Sequence, residues 1–323
     1  MNLKTVLFCT LGMMMANQAM AQSAPMQWVS FCNDPQKNAD NRMVSVSPFF
    51  AFENMELASK NDKSSSSRFL SIDGKWKFDF VRNANERPQD FYRVDFDDSK
   101  WGTMPVPGNW ELNGYGEAIY VNNQYAWRND WETNPPFVKD LNNWVGSYRR
   151  SFQIPAEWNG EQIIMHIGSA TSNVAVYVNG QYVGYSEDAK VAAEFDITRF
   201  VKPGQKNLIA MQVMRWCDGS YLEDQDFWRL CGIARENYIY ARPQAHVEDV
   251  YIRPDLVNDY RDGKLDIDLR LKGCENGTVS LTLEDPAGNV VTVKTLKGSM
   301  LAAKTNGPLA YTLSSKEDRK SVV

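Results

Sequence analysis

Two stretches of this sequence carry side chains suited to chemistry on a sugar. The first is Trp110-Glu111-Leu112-Asn113-Gly114-Tyr115, continuing to Ile119-Tyr120-Val121-Asn122-Asn123. The second runs from Arg215 to Arg229 and sets Glu223, Asp224 and Asp226 between Tyr221 and Trp228. A pyranose offers apolar C–H faces and a rim of hydroxyls, so a binder combines aromatic surfaces with carboxylates and amides able to make paired hydrogen bonds. Acids packed this closely are costly unless a cation or several donors hold them. Oxygen-rich clusters of the kind suit a hard cation such as Na+, Mg2+ or Ca2+. The same residues also read as a solvated acidic loop whose aromatics plug a sandwich. An EF-hand is excluded, because its D-x-D-x-D-G order is absent. Glu223 and Asp226 could reach the roughly 5 Å carboxyl separation of a retaining glycosidase. Nothing nearby supplies a separate acid of raised pKa or a barrel to hold the sugar between them.

Composition narrows the partners. The 323 residues carry 35 Lys plus Arg against 40 Asp plus Glu, a formal charge of −5 with no basic run. That is a poor electrostatic match for nucleic acid or an anionic membrane. The only histidines, His166 and His246, lie far apart, which argues against a His-rich metal centre and against Cys–His or Ser–His catalysis. Residues 1–21 have the form of a secretory signal: Lys4, an apolar run from Val6 to Met15, and Ala19-Met20-Ala21 before Gln22. The run is too short to span a bilayer, so the expectation is export, to the periplasm, with no membrane span. Cys32, Cys217, Cys231 and Cys274 then remain. Their spacing matches no zinc motif, and it leaves open whether any two form a bridge.

The elements that must position these residues read as strands. After a polar arm over 22–68, Trp76, Phe78 and Phe80 alternate with Lys75, Lys77 and Asp79, the period of a strand with one buried face. Similar runs predict strands at 147–154, 162–167, 174–178, 181–185, 207–214 and 237–241. Asn179-Gly180 is a type I′ hairpin signal, since both residues must take positive φ. The fold class is therefore all-β: a jelly-roll sandwich over 69–244, followed by an immunoglobulin-like sandwich over 245–323. Strands are expected at 250–253, 264–271, 278–283 and 290–294. The second sandwich falls short of about seven strands and reads as incomplete, its end a charged, aperiodic tail from Ser314.

Several of these segments together resemble one family. Leu70-Ser71-Ile72-Asp73-Gly74-Lys75-Trp76, Val106-Pro107-Gly108-Asn109-Trp110, Ile119-Tyr120-Val121-Asn122, Asn134-Pro135-Pro136-Phe137-Val138 and the Val176 to Ser186 hairpin are similar to the sugar-binding domain of family 2 β-galactosidases. The run Asp218-Gly219-Ser220-Tyr221-Leu222-Glu223-Asp224-Gln225-Asp226, before Phe227-Trp228-Arg229, is the most specific of them.

The resemblance implies β-galactoside hydrolysis, with galactosides or other β-linked sugars as ligands. It implies that Asn122 contacts sugar hydroxyls and that Asp226 contacts the sugar and ligates Na+. Composition and spacing alone do not single out Asp226 from Asp224 or Glu223. The family's two catalytic glutamates, its Mg2+ ligands and most remaining Na+ ligands belong to a barrel that follows the second sandwich. The expectation is thus an N-terminal piece, inactive by itself, with no catalytic residue of its own. Its barrel would be supplied in cis or in trans, and the full-length protein would be a homo-oligomer. A stand-alone carbohydrate-binding module and a complementing structural subunit are the alternatives.

Overall fold

The computed structural model describes residues 27–128, 132–187, 189–223, 225–274, 276–297 and 312–315. The expected signal segment lies outside them. The chain divides into two compact units, Met1–Met43 with Phe69–Tyr240, and Val44–Arg68 with Ala241–Val323.

The first unit is built on a seven-stranded sheet. In spatial order its strands are Ala39–Asp40, Gln181–Ser186, Val174–Val178, Lys206–Met214, Leu141–Gln153, Gly74–Asn83 and Gly102–Val106. Each neighbouring pair is antiparallel. A second sheet carries Ala193–Asp196, Gln162–Ile167, Asn237–Arg242 and Phe69–Ser71. The two press together closely enough that a Cβ at Gly184, in the first, would lie 2.7 Å from Phe195 Cε1, in the second. The alternation that predicted the strand at Trp76 is realised, with Trp76 and Phe78 buried and Lys75 outside. Asn179 and Gly180 turn the hairpin with φ of 51° and 81°, the positive values that this turn requires.

Residues 22–68 do not form one arm. The 3-10 helix Gln27–Asn33 buries Trp28, Phe31 and Cys32 in the first unit, beside Tyr177, Tyr185 and Met214. Trp28 Nε1 donates to Tyr177 Oη at 2.9 Å, satisfying a buried polar group. A few apolar anchors among polar residues suffice to dock it. Residues 44–68 belong to the second unit. There the short helix Met55–Lys60 is capped by Asn54, whose side chain accepts from the Leu57 amide.

In the second unit, His246–Val257 pairs with Asp262–Lys272, which pairs in turn with Thr312–Ser315. Thr278–Glu284 pairs with Val290–Lys297 around the Asp285 turn. That makes five strands among the described residues. The last of them reaches two residues into the tail expected from Ser314, because ladder pairing recruits backbone whatever the side-chain pattern, and the rest of that tail lies outside the described residues. Among the described residues, no helix is long and apolar enough to cross a membrane.

Candidate functional site

The segments that looked like sugar chemistry meet as two short ribbons. Gly108–Asn109 pairs with Gly232–Ile233, and Ile119–Val121 pairs with Phe227–Arg229. In the second ribbon Phe227 faces Val121, Trp228 faces Tyr120 and Arg229 faces Ile119. Asn122 and Asp226 lie at bends just beyond the paired residues, and Asp226 reaches the Tyr120 side of the ribbon through its bond to Tyr120 Oη. That face is open: Tyr120 is 51 % and Trp228 55 % exposed, and Asn122 and Asp226 are exposed too.

The opposite face fixes the ribbon. Ile119 and Val121 pack on a cluster of Ala126, Trp127 and Trp216. Trp127 Nε1 donates to the Ser220 carbonyl at 3.0 Å, tying this cluster to the turn that leads into the acidic stretch. Phe227 lies between two cations, with Lys190 Nζ 3.7 Å and Arg229 Cζ 4.1 Å from its ring centroid. Arg229 is buried and its Nη2 donates to the Gln225 carbonyl at 2.7 Å, bracing the backbone beside Asp226.

The acids do not act as one cluster. Burial pushes the Glu223 carboxyl up, opposed by the charges of Lys190 and Arg229. Asp226 instead accepts from Tyr120 Oη at 2.5 Å, and Asp224 lies outside the described residues. Glu223 and Asp226 thus face different partners. Asp226 is an exposed carboxylate held beside the Tyr120 ring. Its oxygen donors fit a hard cation such as Na+ as one ligand of a larger set.

The first stretch behaves otherwise. Trp110 is fully buried, packs on Phe78 and Phe80, and donates to Tyr148 Oη at 2.5 Å. Glu111 accepts from the Cys231 amide, and Asn113 Nδ2 donates to the Asn109 carbonyl. These residues build the core and the junction under the ribbon, and Trp110 is no sugar platform. Tyr120 and Trp228 complete the exposed face; they lay inside the aromatic stretches, but their outward direction had no signal in so short a strand.

A separate grouping could hold a metal by proximity alone. Ligand atoms of Glu187, Cys217 and Asp218 lie within 4.8 Å of one another. Burial pushes the Asp218 carboxyl up and the Cys217 thiol well up. Tyr185 Oη donates to Glu187 at 2.6 Å, so one member of the trio already has a hydrogen-bond partner. Cys32, Cys217, Cys231 and Cys274 are all free thiols.

Residues 69–243 match the family model described as glycosyl hydrolases family 2, sugar binding domain. The chain is 40 % identical to a β-galactosidase of Priestia megaterium over 253 residues, which is 78 % of this chain and 24 % of that protein. It is 33 % identical to a β-galactosidase large subunit of Leuconostoc lactis, over 85 % of this chain and 45 % of the relative. The chain thus spans about a quarter to under half of these relatives' length. Among solved structures, a β-glucuronidase from an uncultured Clostridium superposes with a TM-score of 0.57 at 18 % identity, covering 84 % of this chain and 41 % of that one. One from Bacteroides uniformis gives 0.54 at 22 %, covering 78 % and 27 %. At such identities the likeness speaks for the β-sandwich fold alone. The jelly-roll order of strands, the matched residues 69–243 and the curated relatives agree: this chain belongs to glycosyl hydrolase family 2, through its sugar-binding domain.

Proposed function

We propose that this chain supplies the sugar-contacting face of a β-galactosidase acting on terminal β-D-galactosides. The observation that carries the reading is the hydrogen bond from Tyr120 Oη to Asp226 across the Ile119–Val121 and Phe227–Arg229 ribbon, on an exposed face that Asn122 adjoins. Asp226 accepts hydrogen bonds from sugar hydroxyls, and the Asn122 amide both donates and accepts. Tyr120 and Trp228 wall the site against the apolar face of the ring. Asp226 also holds Na+, which when bound supplies a fixed positive charge beside the sugar oxygens. Bond cleavage falls to the two glutamates, and Mg2+ to the ligands, that the family resemblance assigns to a barrel. The secretory pattern of residues 1–21 assigns the protein to the periplasm.

A second arrangement, in which the full enzyme is assembled from more than one chain, is suggested by the Leuconostoc lactis relative, which is named a large subunit. Titrating the purified chain with galactose, read by tryptophan fluorescence, tests the proposal. The expected result is weak binding, of the order of millimolar for so open a face, abolished by Asp226→Asn and weakened by Asn122→Ala, without galactoside turnover. Turnover by the chain alone would overturn the assignment of catalysis, and unchanged binding by Asp226→Asn would overturn the site.

A further inference from the structure

The geometry points to Tyr120 as the residue that positions Asp226, an inference resting on Asp226 being the sugar and Na+ contact proposed above. The two residues are 106 apart in sequence, yet the phenol donates to Asp226 Oδ1 at 2.5 Å. That is a short, charge-assisted bond. The donor is itself restrained. Its backbone lies in the ladder opposite Trp228, and the two rings contact at 5.4 Å with a tilt of 54°. An aspartate at an exposed bend would otherwise sample several rotamers, and fixing one at the moment of binding costs affinity. With Oδ1 held, Oδ2 remains for a sugar hydroxyl or Na+. Among the described residues no hydrogen bond is made to it.

Removing only the hydroxyl leaves the ring and its contact with Trp228 in place. Tyr120→Phe should therefore weaken Na+ and galactose binding roughly three- to tenfold, as expected for one lost hydrogen bond to a charged group in a solvated setting. The test uses the 323-residue chain as wild type, Tyr120→Phe and Asp226→Asn. Sodium-23 NMR relaxation reads Na+ binding, and tryptophan fluorescence reads galactose binding. A third readout is the fluorine-19 chemical shift of protein labelled with 3-fluorotyrosine, which reports the hydrogen bonding of each phenol. Tyr120 is assigned by the signal lost in Tyr120→Phe, and Tyr260, 74 % exposed, serves as the reference.

The expected result is a Tyr120 resonance displaced from that of Tyr260 in wild type and moved toward it in Asp226→Asn. A Tyr120 resonance that Asp226→Asn leaves in place would overturn the inference. So would wild-type affinities in Tyr120→Phe while Asp226→Asn loses them, and that outcome leaves the proposed site standing. Binding unaffected by Asp226→Asn, or absent from wild type, overturns the site and the inference with it.

Discussion

Trp110 and Trp228 sit in stretches of similar composition, each with acids and a tyrosine close by, and they meet opposite fates. Trp110 is sealed against Phe78 and Phe80 with its indole N–H given to Tyr148. Trp228 stands 55 % exposed beside Tyr120. The ribbons next to them are made by the same two segments of chain, one at Gly108–Asn109 and one at Ile119–Val121. An aromatic residue near acids is therefore either a plug or a platform. The ladder's parity and the neighbouring layer determine which.

The contrast can be broken most forcefully at its buried end. Trp110→Ala should destabilise the protein by about 3–5 kcal/mol, the cost of truncating a packed core aromatic, measured by urea unfolding. A loss under about 1 kcal/mol would mean that the buried role is misread. Tyr148→Phe keeps the ring but orphans the Trp110 N–H, and should cost about 1–3 kcal/mol in the same assay. Trp228→Ala should change stability by no more than about 0.5 kcal/mol, while removing most of the fluorescence response to galactose. Equal destabilisation by Trp228→Ala and Trp110→Ala would erase the distinction.

The smallest effect concerns Glu223. Burial holds its folded carboxyl above the ordinary value of 4.5, so the folded state keeps a proton that the unfolded state releases. Its contribution to stability is complete below that pH and is lost as pH rises through the raised folded value. Glu223→Gln should flatten the stability-versus-pH curve over that interval. A slope that survives in Glu223→Gln would place its source elsewhere.

Much of the fold was legible because period-2 alternation is a local property. The strands at 162–167 and 174–178 coincide with the observed ones, and the Asn179-Gly180 turn required nothing beyond its own residues. What local pattern missed was short or recruited by pairing: Gly102–Val106, the two ribbons, and Thr312–Ser315. A three-residue strand is too brief to show a period, and a ladder can enlist backbone with no apolar signature at all.

The site divides along the same line. The residues themselves determined an all-β chain and, through motifs in order, a sugar-binding domain of family 2. They could not rank Glu223 above or below Asp226, since both are acids in one loop. Tertiary structure separates them by setting Lys190 and buried Arg229 against Glu223 and an exposed phenol against Asp226. The physical reason is that a carboxylate's role is fixed by its partners. Tyr120 reaches Asp226, 106 residues away in sequence, only once the strands beside them are paired.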